Sequence, residues 1–309
     1  MGVLLILVCL LIVLLLAGGF YAYRITFYAP PSNHTKVPDA NEPQFAQHRE
    51  VLDRLFKQIM DRPCEYVTIV SHDGLTLSAR YYHVRDGAPI DLCFHGYRST
   101  CFTDFAGGSQ LSFKMGHNLL LVDQRAHGRS EGSNISFGIK ERLDVQSWAE
   151  YAAERFGPDA KLLIYGVSMG GATVLMASGL ELPANVKGII ADCPFSSPME
   201  VILHVAKNNP VPQWLVKPFV IVGAKVYGGI DIMEMDAVRA VKNARVPILI
   251  IHGEADTFVP CHMSEPAQQA NPALVHRHTF PGAEHALSYM VDSQRYEAIV
   301  KQFVEMVLN

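Results

Sequence analysis

The chain has 309 residues, 49% hydrophobic and 18% charged, with a formal net charge of −4 and a pI near 6.3. That much apolar side chain fills the core of one large domain or two small ones and excludes a disordered chain, while the acidic balance speaks against a nucleic-acid partner. The six cysteines (Cys9, Cys64, Cys93, Cys101, Cys193 and Cys261) form no CxxC pair, which argues against a zinc ribbon, a dithiol redox site or a disulfide framework.

Val3 to Tyr23 carries no charge and is mostly Leu, Val and Ile. As a helix it is long enough to span a bilayer core of roughly 30 Å. Tyr21, Tyr23 and Arg24 close it as interfacial residues do. A cleaved signal peptide is the rival, with Ala17-Gly18-Gly19 as the small-residue site. Because no Lys or Arg precedes the apolar run, an uncleaved anchor over residues 1–23 is the preferred reading. Gly2 does not make a myristoylation site, since position 6 is Ile. Arg24 and Lys36 follow the span, a bias of one or two charges toward a cytoplasmic domain. Residues 24–60 read as a membrane-proximal segment. Pro30, Pro31, Pro38 and Pro43 keep its first part extended. A helix from about Phe45 to Met60 then puts Val51, Leu52, Leu55, Phe56 and Ile59 on one face.

From about residue 61 a single domain runs to the end. Glu65–Ser71 and Leu75–His83 flank His72-Asp73-Gly74 and read as a hairpin. Apolar strand-like runs follow at Ile90–Phe94, Leu119–Val122, Lys161–Tyr165, Val186–Ala191, Pro247–Ile251 and Val275–Phe280. Helical patterns lie between and after them, at Ile139–Phe156, Gly171–Leu180, Ala237–Ala244, Met263–Ala270 and Ser293–Leu308. Buried strands alternating with helices predict an α/β fold, a mostly parallel sheet covered on both faces. Residues 197–236 break the alternation and read as a small helical cap over the strand ends. Val201, Ile202, Trp214, Phe219 and Val222 could form an acyl-binding wall in it, or simply pack it onto the sheet.

The sequence Gly166-Val167-Ser168-Met169-Gly170-Gly171 follows a strand-like run and opens a helical one, the setting a nucleophile elbow requires. Two residues before and after the serine must be small in so tight a turn. A serine hydroxyl needs a base, and the base needs a group that orients it. His285, in Pro281-Gly282-Ala283-Glu284-His285, and Asp256, in His252-Gly253-Glu254-Ala255-Asp256, both lie just past strand ends, where an open α/β sheet places its site. The expected triad is Ser168, Asp256 and His285. Tyr97, after the strand ending in His95-Gly96, and Met169 are the expected backbone donors to an oxyanion.

These motifs resemble the α/β-hydrolase superfamily, in its small membrane-anchored, esterase-like branch. HGY at 95–97, DQRAHGRS at 123–130, GVSMGG at 166–171, HGEADTFVP at 252–260 and GAEH at 282–285 carry the resemblance in the family's order. It implies the α/β-hydrolase fold and hydrolysis of a small-molecule ester through an acyl-enzyme, with no metal or organic cofactor. It also implies a supporting role for His95, and tethering roles for Asp123, Arg125 and His127. An anion-binding Arg125 or Arg129 is the alternative there. Some members take their acid from an earlier strand, which makes Asp192 the reserve candidate. Glu254 and Glu284 read as solvated charges. His276 and His278, two apart on one strand, read as strand packing rather than half a metal site. Peptidase, thioesterase and acyltransferase chemistry on the same triad remain open, as does a non-catalytic binding module.

Overall fold

The computed structural model describes residues 1–30, 48–208 and 211–309. Helix α1 (Gly2–Thr26) stands at the N-terminus and α2 (Arg49–Met60) follows. The domain then runs β1 (Glu65–Val70), β2 (Thr76–Tyr82), β3 (Ile90–Phe94), α3 (Cys101–Asp104), α4 (Ala106–Met115), β4 (Asn118–Asp123), α5 (Glu141–Phe156), β5 (Leu162–Val167), α6 (Met169–Ala177) and β6 (Val186–Asp192). The cap holds α7 (Pro198–Val205) and α8 (Gln213–Val222), and α8 runs on into a π-helical turn, Gly223–Tyr227. The chain closes with α9 (Ala237–Val241), β7 (Ile248–Gly253), α10 (Glu265–Ala270), β8 (Val275–Phe280), α11 (Ser288–Val291) and α12 (Ser293–Leu308).

The eight strands form one sheet in the order β1-β2-β4-β3-β5-β6-β7-β8. β1/β2 and β2/β4 are antiparallel, and every later pair is parallel. This is the α/β-hydrolase fold, with the hairpin as its antiparallel edge. The two-residue period of the central strands divides their side chains between two cores. Leu162 and Ile164 of β5 face a core shared with Trp148 and Ala149 of α5 and Val174 of α6. Leu163, Tyr165 and Val167 face the other, with Phe105, Tyr296 and Phe303. Because both faces are covered, these strands read as continuous apolar runs rather than alternating ones.

The structure departs from the sequence reading at two places, and a third part of that reading is untested. The segment 101–115 is helical, although Gly107 and Gly108 weaken its intrinsic preference. Tertiary packing overrides that preference, since a Cβ on Gly107 would sit 2.6 Å from the ring of Tyr289. Pro31, Pro38 and Pro43 and the first residues of the helix expected from Phe45 lie outside the described residues. His276 and His278 are exposed on β8, the outermost strand, rather than packed within the sheet.

Helix α1 is long and apolar enough to cross a membrane. Its first turns stand clear of the protein, but its last turns dock on the domain. Just past it, Phe27 is fully buried against Phe137. Tyr28 and Ala29 pair with the stretch 133–134, the amide of Ala29 donating to the Ser133 carbonyl at 2.8 Å.

Candidate active site

Ser168 stands between the end of β5 and the start of α6 with φ 55° and ψ −116°, a backbone that costs a non-glycine residue of order 1–3 kcal/mol. The neighbours make that turn possible. A Cβ on Gly170 would overlap the carbonyl oxygen of Phe94, and one on Gly166 would overlap that of Gly170. The turn therefore lies tight against the end of β3. It also points the first amides of α6 toward the serine, where a helix N-terminus favours negative charge.

The loops after β7 and β8 bring Asp256 and His285 to this serine. Asp256 Oδ2 accepts from His285 Nδ1 at 2.7 Å, and His285 Nε2 lies 2.9 Å from Ser168 Oγ. All three residues are buried, and the ring of Phe258 lies 5.1 Å from that of His285. With Nδ1 donating to a carboxylate, Nε2 is the acceptor for the serine proton. The other oxygen of Asp256 accepts from the amides of Phe258 and Val259 at 3.0 and 2.7 Å. Burial alone would raise the Asp256 pKa. Hydrogen bonding from His252 and His285, the charge of His285 and the amide of Val259 outweigh it and hold it at about 2. The group is thus a fixed anion.

Asp192, the reserve acid, does not reach His285. Its Oδ2 accepts from the Tyr296 hydroxyl at 2.8 Å, and Oδ1 has no hydrogen-bond partner among the described residues. Burial pushes its pKa up to about 6. Cys193, next in sequence, lies with Asp256 and His285 in a group spaced as metal ligands would be. Burial drives its thiol well above the usual range, and the carboxylate and imidazole in that group already bond each other and Ser168.

Tyr97 and Met169 line the same cleft as Ser168. The intervening loop comes close: a Cβ on Gly96 would sit 3.3 Å from the Ser168 Cβ. Several buried polar groups hold that loop. His95 donates through Nδ1 to the Gly96 carbonyl at 2.8 Å and accepts the Gln124 amide at Nε2 at 3.1 Å, and burial lowers its pKa to about 4. It is a neutral strut. His127 Nε2 accepts the Arg98 amide at 3.0 Å. Asp104 accepts from the Gly96 amide and the Ser99 hydroxyl, both at 2.5 Å. Asp104 escaped the sequence reading because it lies in the segment whose glycines concealed a helix. Arg125 is fully engaged, with Asp144 at 2.6 and 2.7 Å and Asp73 at 2.9 and 3.1 Å. It ties the hairpin turn to α5, with four of its five N–H donors and its charge already committed to two carboxylates. Arg129 lies over the Tyr66 ring, 4.2 Å from its centroid.

The cleft above Ser168 has a volume of about 490 Å³ and mostly apolar walls. Val201, Ile202 and Phe219 of the cap line it. Trp214 and Val222 do not. Trp214 is 75% exposed, and Val222 packs on Gly19 of α1. The helical period turned these two away from the cleft. The opposite wall was not legible in the sequence: it is made by the last turns of α1, through Ala22, Ile25 and Thr26.

The sequence profile of the prolyl oligopeptidase family matches residues 136–309, more than half of the chain. The uncharacterized protein YqkD of Bacillus subtilis is 26% identical over 196 residues, covering 63% of this chain and 64% of YqkD. The lysophosphatidylserine lipase ABHD12 of Danio rerio is 26% identical over 196 residues, covering 57% of this chain and 46% of that protein. The chain thus spans less than two thirds of either relative. Among solved structures, the esterase Pf2001 of Pyrococcus furiosus superposes with a TM-score of 0.67 at 20% identity, covering 82% of this chain and 94% of the esterase.

Proposed function

The chain belongs to the prolyl oligopeptidase family within the α/β-hydrolase superfamily, and we propose that it is a membrane-tethered serine hydrolase that cleaves a carboxylic ester through an acyl-enzyme. The observation that carries this reading is the unbroken run from Asp256 through His285 to Ser168, at 2.7 and 2.9 Å. In this mechanism Ser168 Oγ attacks the ester carbonyl as His285 Nε2 takes its proton. Asp256 holds the imidazole tautomer and stabilises the imidazolium that forms. The amides of Tyr97 and Met169 donate hydrogen bonds to the carbonyl oxygen as negative charge develops on it. His285 then gives its proton to the leaving alcohol, and water repeats the sequence on the acyl-enzyme.

The walls of the cleft favour an ester over a peptide. A peptide brings amide groups that need partners when buried. The cap and α1 offer chiefly aliphatic and aromatic side chains. Among the described residues, the one charged residue lining the cleft, Arg98, donates to the carbonyls of Ile25 and Tyr28 at 3.0 and 3.1 Å. The lipase and esterase among the similar proteins support the same preference.

A fluorophosphonate probe tests the reading. Wild-type protein should be labelled and Ser168→Ala should not. A panel of nitrophenyl esters, acyl-CoA thioesters and peptide amides then identifies the bond. Unlabelled wild type, beside a control hydrolase that labels, would refute the assignment.

A further inference from the structure

Helix α1 is both the tether and part of the cleft, and its dimensions decide where the cleft lies. Gly2 to Leu14 are all exposed. At 1.5 Å per residue, that stretch covers about 20 Å, two thirds of a hydrocarbon core of roughly 30 Å. A spanning helix must find the remaining ~10 Å in the next turns, and those turns are docked on the cap. The Tyr227 hydroxyl donates to the Leu16 carbonyl at 3.1 Å. A Cβ on Gly18 would sit 2.6 Å from the Phe219 ring, and one on Gly223 would sit 2.5 Å from the Gly19 carbonyl oxygen. The two backbones touch through small residues, as helices packed in membranes do. At the end of α1, the Tyr97 hydroxyl donates to the Thr26 carbonyl at 2.8 Å, and Arg98 donates to that of Ile25. The helix therefore cannot sink into a bilayer without carrying the cap and the loop at Tyr97 with it.

The surface of the cap suits that depth. Tyr21, Ile25, Val205 and Val211 line the cleft and are also exposed, so its mouth is rimmed by apolar side chains open to the outside. Trp214 stands out from α8. Residues 201–230 hold three lysines, Lys207, Lys217 and Lys225, and no acidic residue, although the chain as a whole is acidic; Asp231, just beyond, lies 3.8 Å from Lys225. Exposed Trp and Tyr with lysines and apolar side chains is the composition of a surface lying in the headgroup region.

We infer that the last two turns of α1 form a selectivity wall of the cleft, and that the cap beside them is immersed in the membrane surface. The acyl chain of the substrate then enters sideways from the bilayer, past Ile25 and Ala22, to reach Ser168. This rests on the tethered-hydrolase reading and adds to it the route and the residues that read chain length. It also requires that the helix be retained in the working enzyme.

The test uses full-length protein in phosphatidylcholine vesicles. Ala22→Phe and Ile25→Trp narrow the wall, and Ile25→Trp changes an exposed position with little risk to folding. The ratio of nitrophenyl palmitate to nitrophenyl butyrate turnover should fall tenfold or more in both. An unchanged ratio in variants that still take a fluorophosphonate label overturns the wall. A second readout needs no turnover. The chain has two tryptophans, and Trp148 is fully buried, so quenching of fluorescence by brominated phosphatidylcholine reports on Trp214 and should vanish in Trp214→Phe. Absence of quenching in wild type overturns the immersion whatever the activity. Quenching with neither labelling nor ester turnover leaves the immersion supported and sinks the hydrolase reading alone.

Discussion

Replacing Asp256 by Asn preserves its shape and removes its charge. In the structure that charge is wholly shielded from solvent and receives His285 Nδ1 and two backbone amides. Its pKa is held at about 2 rather than 3.8, a gap worth roughly 2.5 kcal/mol to the fold at neutral pH, at about 1.36 kcal/mol per pH unit. Because the folded value is the lower one, this contribution is present above about pH 4 and is lost as pH falls toward 2. The chemical cost should be larger. Asn cannot stabilise an imidazolium, and its amide can hold His285 in the tautomer that donates to Ser168 instead of accepting. The same change in a serine protease triad lowers kcat on the order of 10⁴. Asp256→Asn should lose a comparable factor in kcat, with KM little altered because the carboxylate touches no substrate. The assay is kcat and KM on nitrophenyl butyrate, with urea unfolding to confirm that most of the variant is folded. The reasoning fails if Asp256→Asn stays within tenfold of wild type while Asp192→Asn loses a thousandfold, since the acid would then be Asp192.

Two further outcomes follow from the same geometry. Asp192 has its pKa raised from 3.8 to about 6, so the folded protein holds a proton that the unfolded chain releases. Stability should therefore fall by up to about 3 kcal/mol between pH 4 and 6 and level off above. Asp192→Asn removes that loss while keeping an acceptor for Tyr296, so its advantage in unfolding midpoint should appear above pH 6. Equal effects at pH 5 and pH 8 would refute the account. Gly170→Ala drives a methyl group into the Phe94 carbonyl. It should abolish fluorophosphonate labelling and lower Tm, and a labelled variant of normal Tm would contradict the tight elbow.

Much of this was legible in the chain. Ile90–Phe94 and Val275–Phe280 are strands with the bounds the sequence suggests; the first is buried throughout, and a strand covered on both faces leaves a largely apolar signature. Ser168, Asp256 and His285 stood out because each follows a strand in a short loop. Asp104 and the helix around it did not, since its glycines are there for the Tyr289 ring rather than for helix propensity.

The sequence by itself determined the mostly parallel sheet, the elbow and the long apolar helix at the N-terminus, because periodicity, glycine spacing and apolar length are local properties of a chain. Only the tertiary structure decided between Asp192 and Asp256 as the partner of His285. Both are buried aspartates at the C-terminal side of strands, and what separates them is which one is brought to 2.7 Å from His285. Only the tertiary structure, too, made the end of helix α1 a wall of the cleft. Contact between Gly19 and Gly223 spans some two hundred residues of chain, and nothing in a local pattern encodes which surfaces so far apart will close on each other.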